Sequence, residues 1–236
     1  MTLVAIIDDI HDAMPQQPPF DRLRARGVQV VNFTHRLTPA ERPAALKDVD
    51  VVVPLRERSR LDDAWFADAP NLKLVAQTGR AGPHIDREAA TRRGILIAEG
   101  WSSRYAPTTA ELAITLMQVL MKDVLRADAD LRRGQWNTPM GISMMDKTLG
   151  LLGFGRLGSH TAKIALAFGM NVQVWSRSMT PERAAAAGAT AVGLEELMRT
   201  SDVVSNHLAL NEGTRGLITG DLLRLMKPTA YFINTA

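Results

Sequence analysis

The chain has 236 residues, a formal net charge of +3 and no cysteine, which excludes disulfides and thiolate metal sites. Its basic residues are scattered singly, which argues against a nucleic-acid surface, and its apolar stretches are too short to span a membrane. The absence of cysteine fits a reducing cytosol, so we expect a cytoplasmic protein with room for two modest domains.

The first hundred residues alternate between strand-like and helix-like segments. The N-terminal run lacks a basic region and is interrupted by Asp8 and Asp9, so it is predicted to be a strand and not a signal peptide. Apolar, Val/Ile/Leu-rich runs predict strands at residues 3–7, 28–33, 51–54, 72–77 and 95–98. Helices are predicted between them at residues 20–26, 39–47, 62–67 and 86–93. This βα alternation is typical of a parallel, doubly wound sheet.

A glycine-rich loop, residues 78–84 (TGRAGPH), follows the fourth of these strands. Ligands of open α/β sheets gather at the carboxyl ends of strands, where such a loop exposes backbone amides. The loop is therefore a candidate ligand site, or equally a flexible turn into the helix that starts at residue 86. Arg80 either holds a carboxylate or points into solvent.

Residues 100–107 (GWSSRYAP) have the character of a crossover between domains, and residues 108–133 then predict one long helix. Leu112, Leu116, Val119 and Leu120 share one face of it. A long apolar helix needs a partner, which favours a second domain or a second subunit and hence a homodimer. The alternative is a core helix within one domain.

The stretch 148–158 (TLGLLGFGRLG) is the strongest signal in the sequence. An apolar strand leads into Gly153, Gly155 and Gly158 in the spacing G-x-G-x-x-G, and a helix is predicted at residues 159–168. The first glycine permits a tight turn, the second lets the backbone approach a pyrophosphate, and the third lets helix pack against strand. We therefore expect a dinucleotide site here, the alternative being a tight βα turn without a ligand.

The βα alternation then resumes to the end of the chain. Strands are predicted at residues 171–175, 190–192, 203–206 and 230–234, and helices at 181–187, 194–198 and 221–226. The acid that normally holds the ribose 2′-hydroxyl is missing after the strand 171–175, where Ser176 and Arg177 stand instead. A hydroxyl and a guanidinium suit a 2′-phosphate, which favours NADP(H) over NAD(H) unless Arg177 is an ordinary loop cation.

The second half of the chain resembles the D-isomer-specific 2-hydroxyacid dehydrogenases. The matching segments are residues 150–158 (GLLGFGRLG), 167–170 (AFGM), 201–204 (SDVV), 206–218 (NHLALNEGTRGLI), 226–228 (MKP) and 232–236 (FINTA). Residues 79–86 more loosely resemble the family's G-x-G-x-D-x-I-D loop, with Pro83 where Asp is usual. The resemblance implies a flavodoxin-like substrate domain at residues 1–101, followed by a Rossmann domain at residues 102–236 that is incomplete at its C-terminus.

The resemblance also assigns roles to residues. The cofactor-binding set would be Gly153, Gly155, Arg156, Leu157, Gly158, Ser176, Arg177, Leu208, Ala209, Thr214, Thr235, Ala236 and Thr109. The family usually has Pro where Ala209 stands. Gly79, Arg80 and Ala81 would bind the substrate carboxylate.

The family's catalytic Arg, Glu and His are expected just beyond Ala236, so no catalytic residue is assigned within the chain. The five histidines are too scattered for a metal site, and none is expected to be the proton donor. The resemblance therefore implies that the full-length protein reduces a small 2-oxo acid with NADPH or NADH. The alternative is a non-catalytic dinucleotide-binding interaction module, of the kind that acts as a corepressor, which would be favoured if the chain ends at Ala236.

Overall fold

The computed structural model describes residues 1–100, 106–136 and 140–236. The chain divides into two compact units, Met1–Ser102 and Ser103–Ala236, called here the first and second units. Each unit contains a five-stranded parallel sheet with helices on both faces. The predicted α/β class with two doubly wound parallel sheets is thereby confirmed.

The first unit has the strand order β2-β1-β3-β4-β5, as in flavodoxin-like folds. Its strands are β1 Leu3–Ile7, β2 Gln29–Asn32, β3 Val51–Pro54, β4 Leu74–Gln77 and β5 Leu96–Glu99. Its helices are α1 Pro18–Arg24, α2 Arg42–Leu46, α3 Asp63–Ala67 and α4 Arg87–Arg92. Alternate residues of β1 enter two separate apolar clusters, Ala5 and Ile7 on one face and Val4 and Ile6 on the other. Burial on both faces explains why this strand is apolar throughout.

The second unit has the strand order β10-β9-β6-β7-β8, which is a Rossmann arrangement. Its strands are β6 Thr148–Leu152, β7 Asn171–Trp175, β8 Thr190–Ala191, β9 Val203–Asn206 and β10 Tyr231–Asn234. Its helices are α5 Ala106–Met121, α6 Val124–Arg132, α7 Arg156–Ala167, α8 Pro181–Ala185, α9 Leu194–Thr200 and α10 Gly220–Arg224. From β6 the strand order runs to one side through β7 and β8 and to the other side through β9 and β10. Open parallel sheets bind ligands at such a switch point.

The single long helix predicted at residues 108–133 is wrong. The structure has two helices, α5 and α6, which are separated at Asp123 by a left-handed backbone conformation with φ of +50°. Aspartate adopts this conformation more readily than most residues because its short side chain bonds locally. No glycine or proline marks the break, so the apolar periodicity of the sequence predicts one continuous helix.

The buried face of α5 also differs from the expected one. Small and flexible side chains face the core, namely Ala110, Ala113, Ile114, Met117 and Met121. Leu112, Leu116 and Leu120 lie on the opposite side and are exposed. Because α5 packs closely against α7 and β10, alanine at the contact brings the backbones together, and the larger leucines face outward.

Candidate functional site

The first glycine of the motif forms the turn that leaves β6. Gly153 has φ of +94°, a conformation that a residue with a side chain adopts only under strain. A Cβ atom at this position would also lie 3.0 Å from the carbonyl oxygen of His207. The Gly153 N–H donates to the Trp175 carbonyl at 2.8 Å, so the turn is tied to the end of β7. Both the space and the dihedral angle therefore require glycine here.

The other two glycines lie at the start of α7, in opposite surroundings. A Cβ at Gly158 would overlap the Gly153 carbonyl, since that carbonyl carbon would be only 3.2 Å away. Gly155 caps α7 and has open space where its Cβ would stand. α7 begins at Arg156, three residues before the predicted start, so Arg156 and Leu157 form its first turn. The N-terminus of a twelve-residue helix thus opens onto a space suited to an anion.

The segment after β9 packs beside the glycine turn. The His207 N–H donates to the Leu152 carbonyl at 2.8 Å, and His207 Nε2 lies 3.0 Å from Ser205 Oγ. Burial lowers the pKa of His207 to about 4, so its ring is neutral at pH 7. His207 therefore supports the turn without adding charge to it.

Two asparagines at the ends of neighbouring strands organise the loops that follow them. Asn206 of β9 donates from Nδ2 to Asn234 Oδ1 of β10 at 3.2 Å. Asn206 Oδ1 accepts from the Leu208 N–H at 3.2 Å, and Asn234 Oδ1 accepts from the Ala236 N–H at 3.1 Å. This pair was not predicted from the sequence. A signal was present, because asparagine is a poor strand former and stands at the last position of both strands.

Ala209 and Thr214 belong to one hydrogen-bonded turn. Thr214 Oγ1 donates to the Ala209 carbonyl at 2.6 Å and accepts from the Asn211 N–H at 2.9 Å. Asn211 Oδ1 in turn accepts from the Gly213 N–H at 3.0 Å. The Thr214 hydroxyl is thus engaged within the turn, which gives the loop a fixed shape.

Ser176 and Arg177 lie where the ribose acid of other dinucleotide folds would stand. Ser176 is half-buried directly after β7, and Arg177 is exposed. The Arg177 guanidinium rests against Gly213 of the turn after β9. The structure thus brings the loops after β6, β7, β9 and β10 together at one edge of the second sheet.

Two further predicted residues of the second unit are threonines. Thr109 is half-buried in the first turn of α5. The Thr235 hydroxyl is buried and has no hydrogen-bond partner, and it follows β10 directly. An unsatisfied buried hydroxyl calls for a reason, and a polar ligand at this edge would supply one.

The glycine-rich loop of the first unit is held by side chains. Thr78 Oγ1 donates to the Pro54 carbonyl at 2.7 Å, and His84 Nε2 lies 3.3 Å from Gln77 Oε1. Gly79 is exposed with φ of +107°. Asp86 caps α4 by accepting from the Ala89 N–H at 2.9 Å. The loop is therefore anchored at both ends and exposed between them.

A carboxylate of the chain itself already lies beside this loop. Glu99, the last residue of β5, pairs with Arg87, which also donates to the Ala81 carbonyl at 3.3 Å. The hydrogen bond from Arg87 holds the pKa of the Glu99 carboxyl below its usual range, and the Ala81 N–H and the charge of Arg80 act in the same direction. Two of the three predicted carboxylate-binding residues, Arg80 and Ala81, thus act on a carboxylate of the chain itself.

Comparisons with known proteins match this geometry. Residues 114–236 match the family described as D-isomer specific 2-hydroxyacid dehydrogenase, NAD binding domain. The chain belongs to this family. The second unit therefore carries an NAD-type dinucleotide-binding domain, and the resemblance stated from the sequence is confirmed.

The chain is also similar to curated proteins that are named as a reductase and a dehydrogenase. The chain is 36% identical to glyoxylate reductase of Thermococcus litoralis over 200 residues, covering 81% of this chain and 60% of that protein. It is 33% identical to D-3-phosphoglycerate dehydrogenase of Methanocaldococcus jannaschii over 203 residues, covering 85% of this chain and 38% of that protein. The chain thus spans at most 60% of the length of these two relatives.

A solved structure extends the match to the first unit. The phosphoglycerate oxidoreductase of Vibrio cholerae superposes with a TM-score of 0.91 at 32% identity, covering 100% of this chain and 76% of that one. Nothing in these comparisons supports the non-catalytic alternative. Within the described residues, no helix has the length and apolar character to cross a membrane, and no group of three metal-ligating side chains converges.

Proposed function

We propose that the protein interconverts a small 2-oxo acid, such as glyoxylate or hydroxypyruvate, and its D-2-hydroxy acid by hydride transfer. The proposal rests on the glycine turn. A Cβ atom at Gly153 or Gly158 would meet backbone atoms, whereas a Cβ atom at Gly155 would point into open space. The open space at Gly155 would let a pyrophosphate reach the N-terminus of α7, and the close packing at Gly153 and Gly158 leaves no room for side chains in the turn. Family membership supports the same reaction class.

The dinucleotide is proposed to lie along the edge of the second sheet. Its proposed ligands are Gly153, Gly155, Arg156, Leu157, Gly158, Ser176, Arg177, Leu208, Ala209, Thr214, Thr235, Ala236 and Thr109. In this arrangement the α7 amides bind the pyrophosphate, and Asn206 and Asn234 hold the two loops that flank it. When bound, a reduced nicotinamide supplies the hydride.

The substrate carboxylate is proposed to bind Gly79, Arg80 and Ala81 in the first unit, making residues 1–101 the substrate domain and residues 102–236 the dinucleotide domain. The support is the Glu99 carboxylate, which the Ala81 N–H and the charge of Arg80 already stabilise. A substrate carboxylate would therefore compete with Glu99 for the Ala81 N–H. The resemblance places the proton donor and the arginine that polarises the carbonyl after Ala236, so turnover is proposed for the full-length protein.

Turnover with glyoxylate and hydroxypyruvate tests the reaction, followed by the absorbance of the reduced nicotinamide. The intact mass of the purified protein is measured first, so that any sequence beyond Ala236 is known before activity is judged. Gly155→Ala is expected to abolish turnover because its methyl group fills the pyrophosphate space. A full-length protein that binds the dinucleotide but transfers no hydride to either acid contradicts the proposal.

NADP(H) is proposed as the preferred cofactor because Ser176 and Arg177 replace the ribose acid. The Arg177 guanidinium forms no ion pair among those found in the described residues, so its charge is available to a 2′-phosphate. Loss of one charge-assisted contact costs about 1.5–3 kcal/mol. Arg177→Ala should therefore weaken NADPH binding about tenfold to a hundredfold and leave NADH binding unchanged. Equal affinities for NADPH before and after the change would contradict the preference.

A homodimer is also proposed, now on a different observation from the long helix. Leu112, Leu116 and Leu120 form an exposed apolar stripe on α5, with exposures of 51%, 37% and 39%. Burying such a stripe against a second copy would remove it from water. Light scattering of the intact protein should give twice the monomer mass, and Leu116→Glu should shift it to the monomer. A monomeric mass for the unaltered protein excludes the proposal.

A further inference from the structure

The Arg177 guanidinium occupies space that a side chain at position 213 would fill. A Cβ built on Gly213 would overlap Arg177 Nη1 and lie 3.1 Å from Cζ and 3.5 Å from Nη2. Three atoms of one guanidinium therefore lie close to the position that a Cβ atom of residue 213 would occupy. The two residues are 36 positions apart in sequence and come from the loops after β7 and β9.

The Arg177 guanidinium lies against a hydrogen-bonded turn. Gly213 donates its N–H to Asn211 Oδ1 at 3.0 Å, and Thr214 donates its N–H to the Asn211 carbonyl at 3.1 Å. The Thr214 hydroxyl closes the turn on the Ala209 carbonyl at 2.6 Å. These bonds fix the turn independently of Arg177. A side chain introduced at position 213 should therefore displace the Arg177 guanidinium and not the turn.

We propose that Gly213 is a specificity-determining position, whose missing side chain seats the Arg177 guanidinium where it distinguishes a 2′-phosphate from a 2′-hydroxyl. Gly213 acts through Arg177 and is a positioning residue. This inference rests on the NADP(H) preference proposed above and adds a residue that neither the glycine motif nor the segment after β7 contains.

A methyl group at position 213 would move Arg177 and leave the fold in place. The Gly213 backbone is not in the left-handed region, so alanine fits its conformation. The collision is with the far end of a flexible side chain, which yields at low cost. Gly213→Ala should therefore change cofactor choice without changing stability.

The test compares Gly213→Ala, Arg177→Ala, the double variant and the control Gly193→Ala in the full chain. Gly193 also lacks a left-handed backbone conformation and has open space at its Cβ. Dissociation constants for NADPH and NADH are measured by nicotinamide fluorescence, and stability by urea unfolding. Gly213→Ala should weaken NADPH binding by about threefold to tenfold, leave NADH binding and stability unchanged, and have no further effect once Arg177 is removed.

The outcomes separate this inference from the one beneath it. If Arg177→Ala weakens NADPH binding and Gly213→Ala does not, the role of Gly213 is wrong and the cofactor preference stands. If Arg177→Ala has no effect on NADPH, the preference and the role of Gly213 both fail. Equal losses for NADPH and NADH in Gly213→Ala would mean a general disturbance of the turn, which also overturns the inference.

Discussion

Two glycine-bearing loops follow parallel strands in this molecule, residues 78–84 in the first unit and residues 153–158 in the second. The second loop is shaped by Gly153 and Gly158, where a Cβ atom would meet backbone atoms of the chain. The first loop is shaped by side chains, because Thr78, Gln77 and Arg87 tie it to other segments while Gly79 stands in open space. Gly153 and Gly158, which pack against backbone, should therefore not tolerate a side chain, whereas the first loop should lose its side-chain interactions one at a time.

The largest effect is expected from Gly158→Ala. Its methyl group would overlap the Gly153 carbonyl, which is backbone and cannot move without displacing the turn. We expect a loss of about 1–3 kcal/mol in the free energy of unfolding, as for other overpacked sites, together with loss of dinucleotide binding. Urea unfolding and nicotinamide fluorescence measure the two effects.

Gly155→Ala is the matched control for that change. Its methyl group meets no atom of the chain, so stability should be unchanged while dinucleotide binding is still lost. Together the two variants separate the packing role of a motif glycine from its ligand role. If Gly158→Ala were as stable as the unaltered protein, backbone packing would not define the second loop.

The second prediction concerns the effect of acid on the half-buried His207, whose backbone packs against the glycine turn. Its pKa is about 4 in the folded state against an ordinary 6.5, so the unfolded chain binds more protons between these values. The free energy of unfolding should therefore fall as the pH is lowered from 6.5 towards 4, by about 1–3 kcal/mol in total from this residue. Urea unfolding at several pH values measures the slope.

Replacing His207 isolates its share of that slope. His207→Gln should flatten the decline between pH 6.5 and 4, while His160→Gln should leave it as it was because His160 is exposed on α7. Identical slopes for the His207 variant and the unaltered protein would show that burial of this ring does not govern acid stability. At the loop of the first unit, burial also lowers the pKa of the half-buried His84, and the charge of Glu57 opposes that shift.

The sequence predicts the second loop better than the first because the second loop depends on residues that are local signals. Strands β1, β3, β7 and β9 have the predicted bounds, because their Val- and Ile-rich segments are local signals. The motif glycines are a local signal as well. The break of the long helix at Asp123 is not, because nothing in its neighbours excludes a helix.

Contacts between distant segments had no local signal at all. Glu99 beside Ala81, Arg177 on Gly213 and the Asn206–Asn234 pair each depend on where the sheet brings separate loops. Periodicity places a residue on a face, but it does not identify the residue opposite. The cofactor site was therefore predictable as a location, and its supporting contacts were not.

The smallest effect is expected from Thr78→Val in the first loop. The change removes the bond from Thr78 Oγ1 to the Pro54 carbonyl, but the Thr78 N–H still reaches that carbonyl at 3.4 Å. Because one partner remains, we expect a loss of about 0.5–1.5 kcal/mol, confined to the first unit. Amide hydrogen exchange resolves local opening. It should become faster around residues 78–81 and stay unchanged at the glycine turn of the second unit. Thr91→Val is the control, since the Thr91 hydroxyl bonds only within α4 and is exposed. Faster exchange in both units would mean that the two loops do not open independently, and the contrast between them would then be wrong.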